Sequence, residues 1–278
     1  FSMKSLNRKV LRDAWRLRGP MAACAAVVAA GVALFVALRS MNGYLLDAQA
    51  RYYAQARFAD VFVHVTRAPE PLAERLAAIP GVSAVQTRVV AGVVLDVPGL
   101  AEPGAGKLVS IPPEHGAAPL NRLHLRRGRM PLPGRRDEAL ASERFAEANA
   151  LAPGDTMGAL VNGRWERLVL VGIALSPEYV YAVQGGAFLT DSRRFGVLWM
   201  DREALAAAFD MRGAFNDVAL GLAPGAAERE VIARVDRVLG RYGGLGAYGR
   251  ADQPSHRVVS DEIRQNRATG TVVPALIL

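Results

Sequence analysis

The nearest approach to a phosphate-binding loop in this chain is Gly104-Ala105-Gly106-Lys107-Leu108. A Walker loop needs glycine at 101 and serine or threonine at 108, where the chain has Ala101 and Leu108. Without the first glycine and the magnesium-holding hydroxyl, the segment reads as a flexible crossing. Gly243-Gly244-Leu245-Gly246 follows a predicted helix rather than a strand, which does not suit a dinucleotide. His64, His115, His124 and His256 include no pair at the i, i+4 spacing of a helical zinc site. No Gly-x-Ser-x-Gly elbow is present for a hydrolase. Glu138, Glu143 and Glu147 fall on one solvated face of a helix predicted over 138–150. The single cysteine, Cys24, lies in an apolar run, where it can serve neither a disulfide nor a metal. No catalytic, cofactor-binding or metal residue is therefore expected. The chain reads as a non-enzyme whose chemistry is done elsewhere.

The elements around these residues say more. Gly19 to Leu38 is a run of twenty residues without a charge. At 1.5 Å per residue it spans about 30 Å, the thickness of a bilayer's hydrocarbon core. Before it lie Lys4, Arg8, Lys9, Arg12, Arg16 and Arg18 against Asp13 alone, a net charge of +5. Such a flank keeps its side of the membrane cytoplasmic, so Arg8, Lys9, Arg12, Arg16 and Arg18 are read as membrane-orienting and the rest of the chain as exterior. The competing reading is a cleaved secretory signal. A signal's apolar stretch is typically about 7–15 residues and ends at a small-residue site. This one is longer and exits into Arg39-Ser40-Met41-Asn42. Phe1-Ser2-Met3 reads as a tag remnant.

The chain of 278 residues has a net charge of +8, which would suggest nucleic acid as a partner. Beyond residue 18, however, 28 bases face 25 acids, so the excess belongs to the flank and nucleic acid is excluded. Residues 4–18 read as an amphipathic helix lying in the membrane surface, with Trp15 as an interfacial anchor. The span is set at 19–41. Within it Ala25, Ala29, Ala33 and Ala37 repeat every four residues, a small-residue ladder for helix packing in lipid. A stalk helix is expected over 42–59, with Tyr44 as a second interface anchor.

An α+β exterior domain follows. Asp60 to Val65 reads as a strand, Pro71 to Ile79 as a helix, and Val82 to Val97 as further strands after the turn Pro80-Gly81, together a βαββ unit. Asp217-Val218 opens a similar strand, followed by a helix over 228–241 and a strand near 245–248. Two such units share one antiparallel sheet in the split βαβ arrangement. Between them sits an insert with a hairpin, 156–161 and 166–173, turning at Asn162-Gly163. A strand is expected near 196–200 and a helix over 201–209. Ser255 to Arg267 reads as a second stalk helix, running into the apolar stretch Thr271 to Leu278 as the start of another span.

Several pieces in order resemble the MacB/FtsX-type permease family of ABC transporters. Leu125-Arg126-Arg127-Gly128-Arg129-Met130-Pro131 is similar to its "L-x-x-G-R-x-P" turn. Glu138 to Ser142, with Leu151-Ala152-Pro153-Gly154-Asp155, is similar to its "E-x-x-x-S … L-x-x-G-D" segment, and Val169 to Ile173 to a Gly-Ile strand. Ile79-Pro80-Gly81-Val82 matches a turn in the first half of these domains. The resemblance implies a four-span, multi-pass protein of the bacterial inner membrane whose large periplasmic domain stands between spans one and two. It implies a porter-like lobe, here 60–111 with 214–250, and an inserted Sabre-like lobe, here 112–213, with 254–278 as stalk and span start. It further implies a homodimer driven by a separate cytosolic ATP-binding subunit, and a periplasmic protein as a further partner, for export, lipid or lipoprotein handling, or mechanotransmission. The alternative is a membrane-anchored exterior sensor or scaffold that binds a ligand or activates a periplasmic enzyme. No cofactor is implied.

Overall fold

The computed structural model describes Trp15 and residues 18–112, 118–181 and 191–277. It comprises two units, residues 1–50 with 260–278, and residues 51–259. The first is entered by α1 (Arg18–Ala56), 39 residues without a break. Among the described residues this is one helix long and apolar enough to cross a membrane, with a mean hydropathy of 2.5 and 6% of that stretch buried. The expected span and the greater part of the expected stalk are thus one helix. Apart from Trp15 and Arg18, the interfacial helix expected over 4–18 lies outside the described residues.

In the second unit β1 (Val61–Pro69), α2 (Leu72–Ala77) and β2 (Val82–Arg88) come first. Then follow β3 (Val90–Asp96), β4 (Gly104–Ile111), β5 (His124–Gly128), β6 (Glu138–Ser142) and α3 (Glu143–Ala148). The chain continues through β7 (Thr156–Val161), β8 (Arg164–Leu175), β9 (Phe195–Asp201), α4 (Arg202–Ala208), β10 (Ala214–Leu222), α5 (Glu228–Leu239) and β11 (Tyr248–Gly249). Last comes α6 (Pro254–Ile277).

Strands β11-β1-β10-β2 form an antiparallel sheet of four. Strands 61–65 and 218–222, placed in one sheet from their sequence, are direct neighbours, Val61 opposite Leu220 and Val63 opposite Val218. Alternation sends Val61, Val63 and Val65 to one face, where they meet Leu72 and Leu76 of α2 and Val231, Val235 and Leu239 of α5. The α5 residues recur every four positions, one helix face, and each fully buried side chain of this size contributes about 1.5–3 kcal/mol. Phe62 and His64 point to the other face, where Phe62 packs with Phe58, Leu120 and Ala219.

The other strands run β5-β8-β6-β9-β4-β3-β7, and a further pairing of β7 with β8 closes the ring. Six strands thereby form a barrel, with β5 attached to the C-terminal half of β8. Its interior holds Leu95, Leu108, Leu168, Leu170, Leu198 and Phe145, all at most 1% exposed. Closure removes the free edges of these six strands.

Three expectations change. The βαββ unit is divided: β3 and β4 belong to the barrel, so the sheets part at Val89 rather than after residue 111. Gln86 to Ala91, around the crossing, contains no glycine, proline, asparagine, aspartate or serine, so the crossing leaves no mark in the sequence. Gly104 to Leu108, expected as a flexible crossing, is strand, paired on one side with β3 and on the other with β9. Glu138 to Ser142, expected as helix, is a fully buried strand; only Glu143–Ala148 is helical. The helix-forming residues there yield to their central position in the barrel. The hairpin turns as expected at Asn162 (φ 46°) and Gly163 (φ 79°).

Candidate functional site: an ion-pair row at the roots of the long helices

Register in the four-stranded sheet brings three distant residues into one row. His64 on β1 lies opposite Asp217 on β10, and Asp217 lies opposite Arg88 on β2. Arg88 and Asp217 are 3% and 1% exposed. The Arg88 Nε donates to Asp217 Oδ1 at 2.6 Å, and His64 Nδ1 stands 2.5 Å from Asp217 Oδ2. The rest of the guanidinium donates to both oxygens of Glu178, which sits in the helical turn Pro177–Tyr179 beyond β8. One cation therefore holds two buried carboxylates and joins sheet to barrel. Burial alone would raise the Asp217 carboxyl, but Arg88 and then His64 outweigh it and hold the group well below the usual carboxylate range. Burial likewise opposes the charge on Arg88, and the two carboxylates reverse the effect and raise it.

The row is tied to both long helices. Asn121 Nδ2 donates to Glu178 Oε2 at 2.8 Å, while its Oδ1 accepts from Ala59 N just beyond α1 at 2.8 Å. Gln253, the residue before α6, donates from Nε2 to the Glu178 carbonyl at 2.7 Å and accepts from His256 N at 2.7 Å. Arg250 clasps the exit of α1, donating to the carbonyls of Phe58 and Ala59 and to Asp60 Oδ1 at 2.5, 2.8 and 2.6 Å. Tyr53 of α1 meets His256 of α6 at 3.1 Å, hydroxyl to Nδ1, with ring centroids 5.6 Å apart. Burial, with Arg250 adding to it, lowers the His256 pKa and favours the neutral ring. A cavity of about 270 Å³ beside the row is lined by Gln86, Leu123 and Trp199 as well as Arg88, Asn121 and Glu178. Arg88 and Glu178 in its wall are already engaged with each other, so the row is suited to holding elements together rather than to bond chemistry. Among the described residues no group of three or more His, Cys, Asp or Glu could hold a metal.

The family-like motifs converge on β8. Gly128 of "L-x-x-G-R" lies opposite Gly172 of the Gly-Ile strand. A Cβ on Gly128 (φ 76°) would stand 2.2 Å from the Val171 carbonyl oxygen, and one on Gly172 2.6 Å from that of Arg129. Arg129 of the same motif grips Glu138 of "E-x-x-x-S" with two bonds of 2.7 Å. Those bonds, against the opposing effect of burial and helped by Leu132 N, pull the Glu138 carboxyl down to about 2. Glu138 is thus a buried barrel residue, not part of a solvated helix face. Gly154 N donates to Leu170 O at 2.7 Å, fixing the "L-x-x-G-D" turn on β8 as well.

Of the residues singled out in the sequence, Arg8, Lys9, Arg12 and Arg16 lie outside the described residues. The Arg18 guanidinium lies 5.0 Å from the Trp15 ring centre, and Trp15 and Tyr44 are exposed. Ala25, Ala29, Ala33 and Ala37 are all exposed on α1. Sequence reasoning missed Arg88, Asn121, Glu178 and Gln253. The available signal was a charged residue at the end of the β-branched run Val82 to Arg88, matched by the acid in Asp217-Val218.

The chain is similar in structure to the extracellular domain of the noncanonic ABC-type transporter YknZ from Gram-positive bacteria, at 14% identity and a TM-score of 0.43, over 69% of this chain and 98% of that one. It is also similar to the periplasmic region of MacB from Actinobacillus actinomycetemcomitans, at 9% identity and a TM-score of 0.41, over 74% and 92% of the two chains. These are the kind of protein that the motifs resemble. A domain of a protein described as a permease, from Porphyromonas gingivalis, is similar at 13% identity and a TM-score of 0.37, over 67% and 81%. Likenesses this loose carry no argument about function. No protein-family model matches the chain, and no curated protein matches it.

Proposed function

We propose that this chain is the membrane and periplasmic part of a permease subunit of an ABC transporter. It works as a pair with a second copy in the bacterial inner membrane, and a separate cytosolic ATP-binding subunit drives it. The four-stranded sheet with α2 and α5 is its porter-like part and the barrel its Sabre-like part. The observation that carries this reading is α1, which continues unbroken from an apolar, membrane-length stretch to Ala56. At 1.5 Å per residue, the portion beyond Leu38 is about 27 Å of helix. A helix passes displacement along its axis, where a coil would dissipate it. The root of α1 is bonded to the root of α6 and, through Asn121, to the Arg88 row, so displacement of either helix reaches both sheets. This favours mechanotransmission among the roles open to the family. The test is to abolish ATP hydrolysis on the partner while leaving the complex assembled. The periplasmic function should be lost; if it persists, the chain is an exterior sensor or scaffold.

A further inference from the structure

Beside the root of α1, Tyr52 and Gln55 face Arg122, His124 and Arg126, with Leu175 behind them, around a cavity of about 380 Å³. That volume lies in the range of small-molecule sites, about 300–1,000 Å³. The Tyr52 hydroxyl is buried and has no hydrogen-bond partner in the protein. Burial, with Tyr53 and Glu143 adding to it and Arg126 opposing, raises the phenol pKa, so the group stays a donor. Buried polar groups are nearly always paired, and one without a partner calls for an explanation. The Arg122 and His124 side chains have no partner among the described residues, and Arg126 is shared with the carboxylate of Glu143 at 2.9 Å. Among the described residues, no acidic residue lines the cavity. The lining thus offers several donors, two of them guanidinium groups, and the one acceptor charge beside it, Glu143, engages Arg126 alone.

We propose that this cavity binds a phosphate group. A phosphate has enough acceptor oxygens to take both guanidinium groups and, once a small turn of the Tyr52 side chain brings its buried hydroxyl to the cavity wall, the phenol as well; guanidinium pairs with phosphate in bidentate fashion. The cavity has room for more than the bare anion, so the phosphate is carried either on a soluble phosphorylated molecule or on a lipid headgroup. Once bound, it bridges the last turns of α1 to β5 and stiffens the root of the helix.

The test uses the full chain in an uncharged detergent. Its thermal midpoint is followed against inorganic phosphate, glycerol phosphate and a short-chain phosphatidylglycerol, with sodium chloride and sodium acetate at matched ionic strength as controls. Phosphate compounds should raise the midpoint saturably. Tyr52→Phe, which keeps the ring, should leave the ligand-free midpoint unchanged or higher while weakening phosphate binding at least tenfold, and Arg122→Gln should weaken it similarly. Stronger binding of glycerol phosphate than of the lipid assigns a soluble source, and the reverse order a lipid. The proposal is overturned if acetate acts as phosphate does, if no saturable rise occurs, or if Tyr52→Phe binds as the parent does. A lower ligand-free midpoint in Tyr52→Phe would also overturn it, since the hydroxyl would then be satisfied within the protein.

Discussion

Replacing Arg88 by methionine removes the one cation that lies between Asp217 and Glu178 while keeping most of the side chain's volume. Both carboxylates are almost wholly buried and lose their shared guanidinium partner. Removing one partner of a buried pair costs about 3–5 kcal/mol, because the remaining charge is left uncompensated. For a domain of roughly 150–250 residues, each kcal/mol shifts the thermal midpoint by about 2–4 °C. Arg88→Met should therefore lower the midpoint of the unit formed by residues 51–259 by about 6–20 °C. Differential scanning calorimetry of the full chain in detergent measures this, with Arg194→Ala as the comparison. Arg194 pairs with Glu102 at 2.5 Å, but both side chains are more than half exposed. That change should stay within about 0.5 kcal/mol. Adding Asp217→Asn and Glu178→Gln to Arg88→Met should recover part of the loss, since no uncompensated charge then remains. If Arg88→Met shifts the midpoint no more than Arg194→Ala, the row is not the buried junction that the geometry describes.

Two further outcomes follow from the same geometry. Gly172→Ala should destabilise the barrel by at least about 2 kcal/mol, since its Cβ would stand 2.6 Å from the Arg129 carbonyl oxygen; Gly163→Ala, in open space at φ 79°, should cost about 1–2 kcal/mol of backbone strain alone. Urea unfolding of both variants separates the two costs. The lowered pKa values of Asp217 and Glu138 set the acid behaviour: their stabilisation is fully present above the unfolded carboxylate range near pH 4 and is lost as pH falls toward about 2. An acid titration of the parent should therefore lose stability between about pH 4 and 2, and Arg88→Met should reduce that loss by removing the depression at Asp217.

The apolar run, the shared sheet and the hairpin were legible because each rests on local chemistry: a twenty-residue length, period-two alternation, and an Asn-Gly turn. The boundary between the sheets was not. Val89 passes from one sheet to the other with no turn residue between Gln86 and Ala91, and only tertiary pairing distinguishes the two halves of the stretch. Glu138 to Ser142 misled for the opposite reason, since good helix formers there occupy a central barrel strand. The Arg88 row depends on register between residues 129 positions apart, which no local pattern reports. The motif pieces were recognisable in sequence, yet their physical reason, two glycines in backbone contact and an arginine on a buried glutamate, becomes visible only when β5, β6 and β8 come together.

The central claim is that displacement travels through the root of α1. Insertion of Gly-Gly between Gln49 and Gln55 interrupts the helix there, each glycine costing about 1 kcal/mol of helix stability, and leaves the Arg88 row and the barrel intact. In the full-length transporter with its ATPase, two rates are then measured together: ATP hydrolysis and the periplasmic function. The account predicts that hydrolysis continues while the periplasmic function fails. If both persist at the parental level, α1 is only a tether and the mechanotransmission reading is contradicted.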